Sequence, residues 1–155
     1  MIKLILGITS LILISLAVLV TSKFQNKETT APNFEFTPLV QDQEVDIKAT
    51  FTIITNGITR NFNAKMYQNL STDVYIEASN PTIVYVKKKG ATWDDFFTTL
   101  PMTLTKDCLT TGTKETFCTG QGGTLRFYLN DNEDKDLLDG EIKDADKVLI
   151  QFSKN

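Results

Sequence analysis

An uncharged apolar run near the start of the chain most constrains what the chain can fold into. It covers residues 4–22, LILGITSLILISLAVLVTS, nineteen residues without a charged side chain. A helix of that length covers roughly 28 Å, close to the ~30 Å hydrocarbon core of a bilayer. The run lacks an A-x-A cleavage pattern and exceeds the ~7–15 residues of a signal-peptide core. We therefore expect a transmembrane anchor over residues 1–22, with a cleaved signal peptide as the alternative.

Two features favour export of the segment that follows the anchor. The chain has one pair of cysteines, Cys108 and Cys118, which suits an oxidising compartment. Asn69-Leu70-Ser71 is a permissible N-glycosylation sequon. The lysines on the two sides of the anchor are nearly balanced and do not set its orientation. We therefore predict a single-pass protein of the cell membrane whose C-terminal domain is extracytoplasmic.

A change in composition separates the anchor from a folded domain. Residues 23–46 are polar, contain two prolines and show no sustained hydrophobic period, which is typical of a flexible tether. Residues 47–155 provide enough chain for a single hydrophobic core. We predict an α+β domain there, with a small, mainly antiparallel β-sheet and one helix packed against it.

Alternating apolar residues predict two hairpins in the first half of this domain. In the first, ATFTIITNGITRNFN, Phe51 and Ile53 share one face, and Asn56-Gly57 suits the positive φ angles of a type I′ turn. Two further strands, at residues 73–78 and 82–87, form the second hairpin around a break at Ser79-Asn80-Pro81.

One helix is predicted in the soluble part of the chain, over TWDDFFTTL. Thr92 is a natural N-cap, two aspartates occupy the first turn, and Pro101 ends the helix. Apolar residues recur at helical spacing and form one stripe that should enter the core: Trp93, Phe96, Phe97 and Leu100.

Two strands close the domain, at residues 124–129 and 147–152, and an acidic segment separates them. That segment, NDNEDKDLLDGEIKDAD, lacks the ligand register of an EF-hand, because Lys135 and Asp136 fall where an oxygen ligand and a glycine are needed. We predict a solvated acidic turn rather than a calcium site.

The sequence contains no histidine. This removes Ser-His-Asp and Cys-His catalysis and the commonest zinc and copper ligand sets. A formal net charge of -3, without a basic stripe interleaved with aromatics, does not favour a nucleic-acid partner. We therefore predict a protein that is not an enzyme, with no cofactor, no catalytic residue and no metal ligand.

The two cysteines lie in KDCLTTGTKETFC, with nine residues between them. This spacing is not a C-x-x-C redox motif, and two thiolates without histidine make a poor metal site. A Thr-Gly-Thr turn midway lets Cys108 and Cys118 face each other, so we expect a structural disulfide worth roughly 2–3 kcal/mol. A redox-active pair is the alternative.

Four motifs in order, KGATWDDFF, LTKDC with a second cysteine after nine residues, TLRFYLN and IKDADKVLIQF, resemble a family of uncharacterised membrane-anchored archaeal and bacterial proteins. The order of strands also resembles a β-grasp-like architecture. In that family the second hairpin often carries histidines, and the resemblance implies a metal site there. The corresponding positions in this chain, none of them histidine, are Tyr75, Glu77, Tyr85 and Lys87.

Those four residues share one face by the two-residue period of a strand. A cross-strand ion pair between Glu77 and Lys87, flanked by the tyrosines, would replace the histidines. We predict a non-enzymatic binding or structural module that contacts a protein, an envelope component or another copy of itself. The alternative is a metal-handling or redox accessory protein, with the two cysteines, or Glu77 and the acidic turn, as ligands.

Overall fold

The structure is a computed structural model that describes residues 44–154. The predicted anchor, and the predicted tether as far as residue 43, lie outside the described residues. Within residues 44–154, no helix combines the length and the apolar character that crossing a bilayer requires. The α+β class is confirmed for this part of the chain.

Seven of the strands formed by residues 44–154 build one main sheet, and three build a smaller one. In chain order the strands are β1 (Glu44–Thr55), β2 (Ile58–Thr59), β3 (Val74–Glu77), β4 (Asn80–Lys88), β5 (Thr103–Leu104), β6 (Cys108–Thr110), β7 (Thr116–Cys118), β8 (Gly123–Leu129), β9 (Asn132–Glu133) and β10 (Lys147–Lys154). The main sheet has the order β3-β4-β1-β10-β8-β9, and β2 pairs with the end of β1. β1 and β10 are parallel, whereas the other neighbours are antiparallel.

The first hairpin forms with the turn that the sequence predicts. Asn56 and Gly57 have φ angles of 52° and 81°, and Thr55 pairs with Ile58 across this two-residue turn. The return strand is shorter than the alternation indicates, and Ile58 is 67% exposed. The backbone of Arg60 still bonds to Ile53, after which the chain leaves the strand.

The second hairpin is tighter than predicted. β4 already begins at Asn80, so the turn consists of Ala78 and Ser79 rather than a break through Pro81. Ala78 is exposed and does not share the core face with Val74, because the strand ends before it.

The helix α1 (Trp93–Thr99) is confirmed where it was predicted. Thr92 Oγ1 accepts from the backbone N–H of Asp95, and the Asp95 carboxylate accepts from the backbone N–H of Thr92, which completes a capping box. The apolar stripe of α1 is buried against the inner face of the sheet, where Phe51 lies 5.1 Å from Phe96 between ring centroids.

The acidic segment is only partly the solvated turn that was predicted. It contains a 3₁₀ turn, Leu137–Asp139, and its apolar residues Leu137, Leu138 and Ile142 are buried in the core. The carboxylates of Asp136 and Asp139 point outward and accept from Lys106 Nζ at 2.7 and 2.8 Å. The prediction followed the many acidic residues of this segment and therefore missed its three buried apolar residues.

Ala145, in the turn before β10, has a φ of 65°, a left-handed conformation. That conformation costs an L-residue about 1–2 kcal/mol, which replacement by glycine would remove. Glycine also has more conformational entropy in the unfolded chain, which lowers the free energy of unfolding by about 0.4–1 kcal/mol. We expect Ala145→Gly to raise the free energy of unfolding by about 0.5–1 kcal/mol in urea titrations. The matched control is Ala64→Gly. Ala64 has a φ of -69°, so its backbone carries no left-handed strain that glycine could remove. A loss of stability in Ala145→Gly would contradict this backbone assignment.

The cysteine segment provides two of the three strands of the smaller sheet, and its disulfide is present. Cys108 on β6 is directly opposite Cys118 on β7, with 4.1 Å between the Cα atoms, and the two sulfurs are bonded. The adjacent pair, Leu109 and Phe117, is buried in the core. The disulfide thus joins two short strands that carry core residues.

Arg60 attaches this smaller sheet to the end of β1. Its Nε donates to Thr55 Oγ1 at 2.6 Å, and its Nη1 lies 2.9 Å from Glu115 Oε2. The guanidinium carbon also lies 5.0 Å from the centroid of the Phe117 ring. Through these contacts the guanidinium joins the smaller sheet to the main sheet.

Candidate functional site

The two faces of the hairpin formed by β3 and β4 differ sharply. Residues that point to the inner face are fully buried: Val74, Ile76, Val84 and Val86. The four residues predicted from the sequence alternate with them and are half-buried on the outer face: Tyr75, Glu77, Tyr85 and Lys87. These four therefore share one face. Together with Lys48 of β1, they form a surface that we call the outer tyrosine face.

Tyr75 and Tyr85 are directly opposite each other across the two strands. Their rings are stacked, with centroids 5.6 Å apart and an interplanar angle of 17°. The Asn80 side-chain amide donates to the Tyr85 hydroxyl at 3.3 Å, and Lys48 Nζ lies 5.6 Å from the Tyr85 ring centroid. The stack is therefore held by strand register, a hydrogen bond and a cation–π contact.

The predicted ion pair between Glu77 and Lys87 is wrong. Lys87 Nζ instead donates to Asp46 Oδ1 at 2.8 Å. The register explains this, because the Lys87 backbone bonds to Asp73 whereas Glu77 pairs with Asn80 next to the turn. The tyrosine pair therefore lies between the two charges along the hairpin.

Asp46 is a site residue that the sequence interpretation missed. It was assigned to the tether, but β1 begins at Glu44, before residue 47. A signal was present in the sequence, because Val45 and Ile47 already alternate with polar neighbours, and both pack against the core.

The ion pair at this face predicts a specific titration. The hydrogen bond from Lys87, followed by its charge, lowers the pKa of Asp46 below the ordinary value of 3.8. Any stabilisation from this pair is present above the unfolded-state pKa and is lost as the pH falls through the lower folded-state pKa. We expect Lys87→Gln to raise the Asp46 midpoint in carboxyl NMR titrations. An unchanged midpoint would show that the pair does not form in solution.

The outer face continues across the central strands. Thr52, Leu149 and Tyr128 lie side by side on β1, β10 and β8, and each is half-buried. Tyr128 thus points to the same side as Tyr85 but is separated from it by two strands. It makes no ring contact with another described residue, so it provides a matched control for the stacked pair.

A cavity of about 220 Å³ lies between the end of β1 and the smaller sheet. Apolar and aromatic side chains form about half of the described lining, and the one cation among the described lining residues is Arg60, which is already held by Glu115 and Thr55. Other lining residues are Ile53, Phe62, Tyr67, Met102 and Leu109. The lining residues that the structure describes provide apolar surface but no pair of side chains suited to general acid–base catalysis.

The metal-handling alternative requires the two cysteines, or Glu77 with the acidic turn, as ligands. The two cysteine sulfurs are bonded to each other. Among the residues that the structure describes, no group of three or more Cys, Asp or Glu side chains is placed to hold a metal ion.

Comparisons with protein-family models, with curated proteins and with solved structures give no match for this chain.

Proposed function

We propose that this protein is a membrane-anchored, extracytoplasmic binding module without catalytic activity, and that the outer tyrosine face is its contact surface. The observation that carries the proposal is the stacked pair of Tyr75 and Tyr85, half-exposed on two strands whose opposite face is in the core. The partner is a protein or an envelope component.

Tyrosines held in this way suit a contact surface. Tyrosine is enriched in protein interfaces, because it offers a large apolar area and a polar hydroxyl at little cost in conformational entropy. Stacking and the hydrogen bond from Asn80 already restrict the Tyr85 ring, so little further ordering is needed when a partner binds.

Export and anchoring are supported by the cysteines and by the start of the chain. A disulfide between Cys108 and Cys118 suits an oxidising compartment. The apolar run at residues 4–22 has the length of a membrane span. A domain tethered in this way would present its surface to partners at the same membrane or in the surrounding envelope.

A β-grasp-like architecture is part of the proposal. Its support is the order of the longer strands, β4-β1-β10-β8, in which the first and last strands of the domain form a central parallel pair. The helix α1 lies between the two halves of this sheet in the chain and packs on its inner face.

The test of the contact surface is a double substitution, Tyr75→Ala with Tyr85→Ala, in the full chain. After chemical cross-linking in membranes, we expect the double variant to recover about tenfold less of the partner than the wild type does. A loss of this size is typical of interface hot spots. The control is Tyr128→Ala, which removes a tyrosine from the same side of the sheet and should leave recovery unchanged. Equal recovery from the double variant, with its fold intact by circular dichroism, would rule out this face.

A further inference from the structure

Asn69 occupies an exposed turn between the 3₁₀ turn Lys65–Tyr67 and β3. Its backbone has a φ of 52°, a left-handed conformation that asparagine tolerates better than most residues. Its backbone N–H donates to the carbonyl of Ile76 on the outer edge of β3 at 3.0 Å. Its carboxamide makes no hydrogen bond with another described residue. The backbone of Asn69 is therefore held against β3, and the residue is exposed.

Asn69 is also the first residue of Asn-Leu-Ser, the acceptor pattern for N-linked glycans. The sequence contains one other asparagine with a hydroxyl residue two positions later, in Asn80-Pro81-Thr82, but proline in the middle position blocks that pattern. The chain therefore carries a single usable acceptor, and the fold leaves it exposed.

The hydroxyl of the sequon is placed as a local cap. Ser71 Oγ accepts from the backbone N–H of Asp73 at 3.1 Å and of Val74 at 3.4 Å. Both donors lie at the start of β3 or directly before it, and neither bond involves the Asn69 carboxamide. A glycan on Asn69 would leave them intact.

We infer that Asn69 is an N-glycosylation site, an inference that rests on the proposed export of the domain. The donor class is an oligosaccharide linked through phosphate to a lipid. Asn69 Nδ2 forms the bond to the anomeric carbon of the sugar, and the bond from that carbon to the phosphate oxygen breaks. The lipid phosphate leaves, and the amide proton passes to a base on the transferase.

The position of Asn69 gives the glycan a physical role. Two exposed apolar side chains flank it in the same segment, Met66 at 51% and Leu70 at 44%. The turn lies along the outer edge of β3, the edge strand of the main sheet. A hydrated glycan there covers apolar surface and hinders pairing of this edge with another chain.

The test is mass spectrometry of the Asn69 peptide from the full chain, purified from membranes of the producing organism. The same sample is treated with a thiol reagent before and after reduction. We expect added glycan mass on the wild-type peptide, none in Asn69→Gln or Ser71→Ala, and retention in Ser71→Thr. The control Asn63→Gln changes an exposed asparagine outside any sequon and should also retain the glycan on Asn69.

Three results would overturn the inference, and the first two differ in what they say about export. An unmodified Asn69 peptide with cysteines that react only after reduction would refute glycosylation and leave export standing. An unmodified peptide with freely reactive cysteines would refute both. Glycan retained in Ser71→Ala would show that the sequon does not direct the modification.

Discussion

Phe51→Ala is expected to lower the free energy of unfolding by about 3–5 kcal/mol, a large part of the ~5–15 kcal/mol that a domain of this size has in total. Phe51 is 1% exposed on the central strand β1. Its ring lies 4.8 Å from Phe62 and 5.1 Å from Phe96, so it joins the sheet to α1 and to the segment after β2. Truncation leaves a cavity at this junction. Urea unfolding followed by circular dichroism measures the loss.

The neighbouring residue Thr52 is the matched control, because it lies on the outer face of the same strand. Thr52→Ala should change stability by less than about 1 kcal/mol, and Phe51→Leu should cost less than Phe51→Ala because it preserves more of the volume. A Phe51→Ala variant as stable as Thr52→Ala would mean that the core does not lie on the assigned face.

Replacing both Cys108 and Cys118 with Ala is expected to lower the free energy of unfolding by about 2–3 kcal/mol. The disulfide closes a loop with a sequence separation of 10, and its loss restores conformational freedom to the unfolded chain. Since Leu109 and Phe117 belong to the joined strands, part of the core should loosen as well. Urea unfolding with a constant m-value measures the change.

Reduction provides the control for this pair. Adding a thiol reductant should shift the wild-type midpoint toward that of the double variant, whose own midpoint should not move. A wild-type midpoint that does not respond to reduction would contradict a stabilising role for the bond.

Local features of the fold could be predicted from the sequence because each depends on residues close together in the chain. The Asn56-Gly57 turn, the capping box that begins at Thr92 and the opposition of the two cysteines all follow from short-range chemistry. The alternation of β1 likewise predicted which side chains, such as Phe51, enter the core.

Features that depend on distant pairing could not be predicted. The parallel register of β1 with β10 joins residues about a hundred positions apart, as in the pairing of Thr50 with Lys147. Arg60 lies in the predicted return strand of the first hairpin, and nothing in that pattern indicates that it reaches Glu115 and the ring of Phe117 on β7. Hydrophobic period carries no information about such partners.

In the candidate site, too, the local sequence pattern predicted which residues share a face but not how the strands pair. The period of two placed Tyr75 and Tyr85 on one face, but their stacking depends on a shift of the strand register between Ile76 and Glu77, beyond which Tyr75 lies opposite Tyr85. The same register separates Glu77 from Lys87, so a prediction based on face alone chose the wrong ion pair.

The reactivity of the two cysteines tests the proposed export of this domain together with its disulfide. Cells that produce the full chain are lysed into acid, and the protein is treated with an alkylating reagent before and after reduction and weighed intact. We expect Cys108 and Cys118 to react only after reduction. Complete alkylation of both cysteines without reduction would contradict this proposal, because the domain would then reside in a reducing compartment or lack the bond.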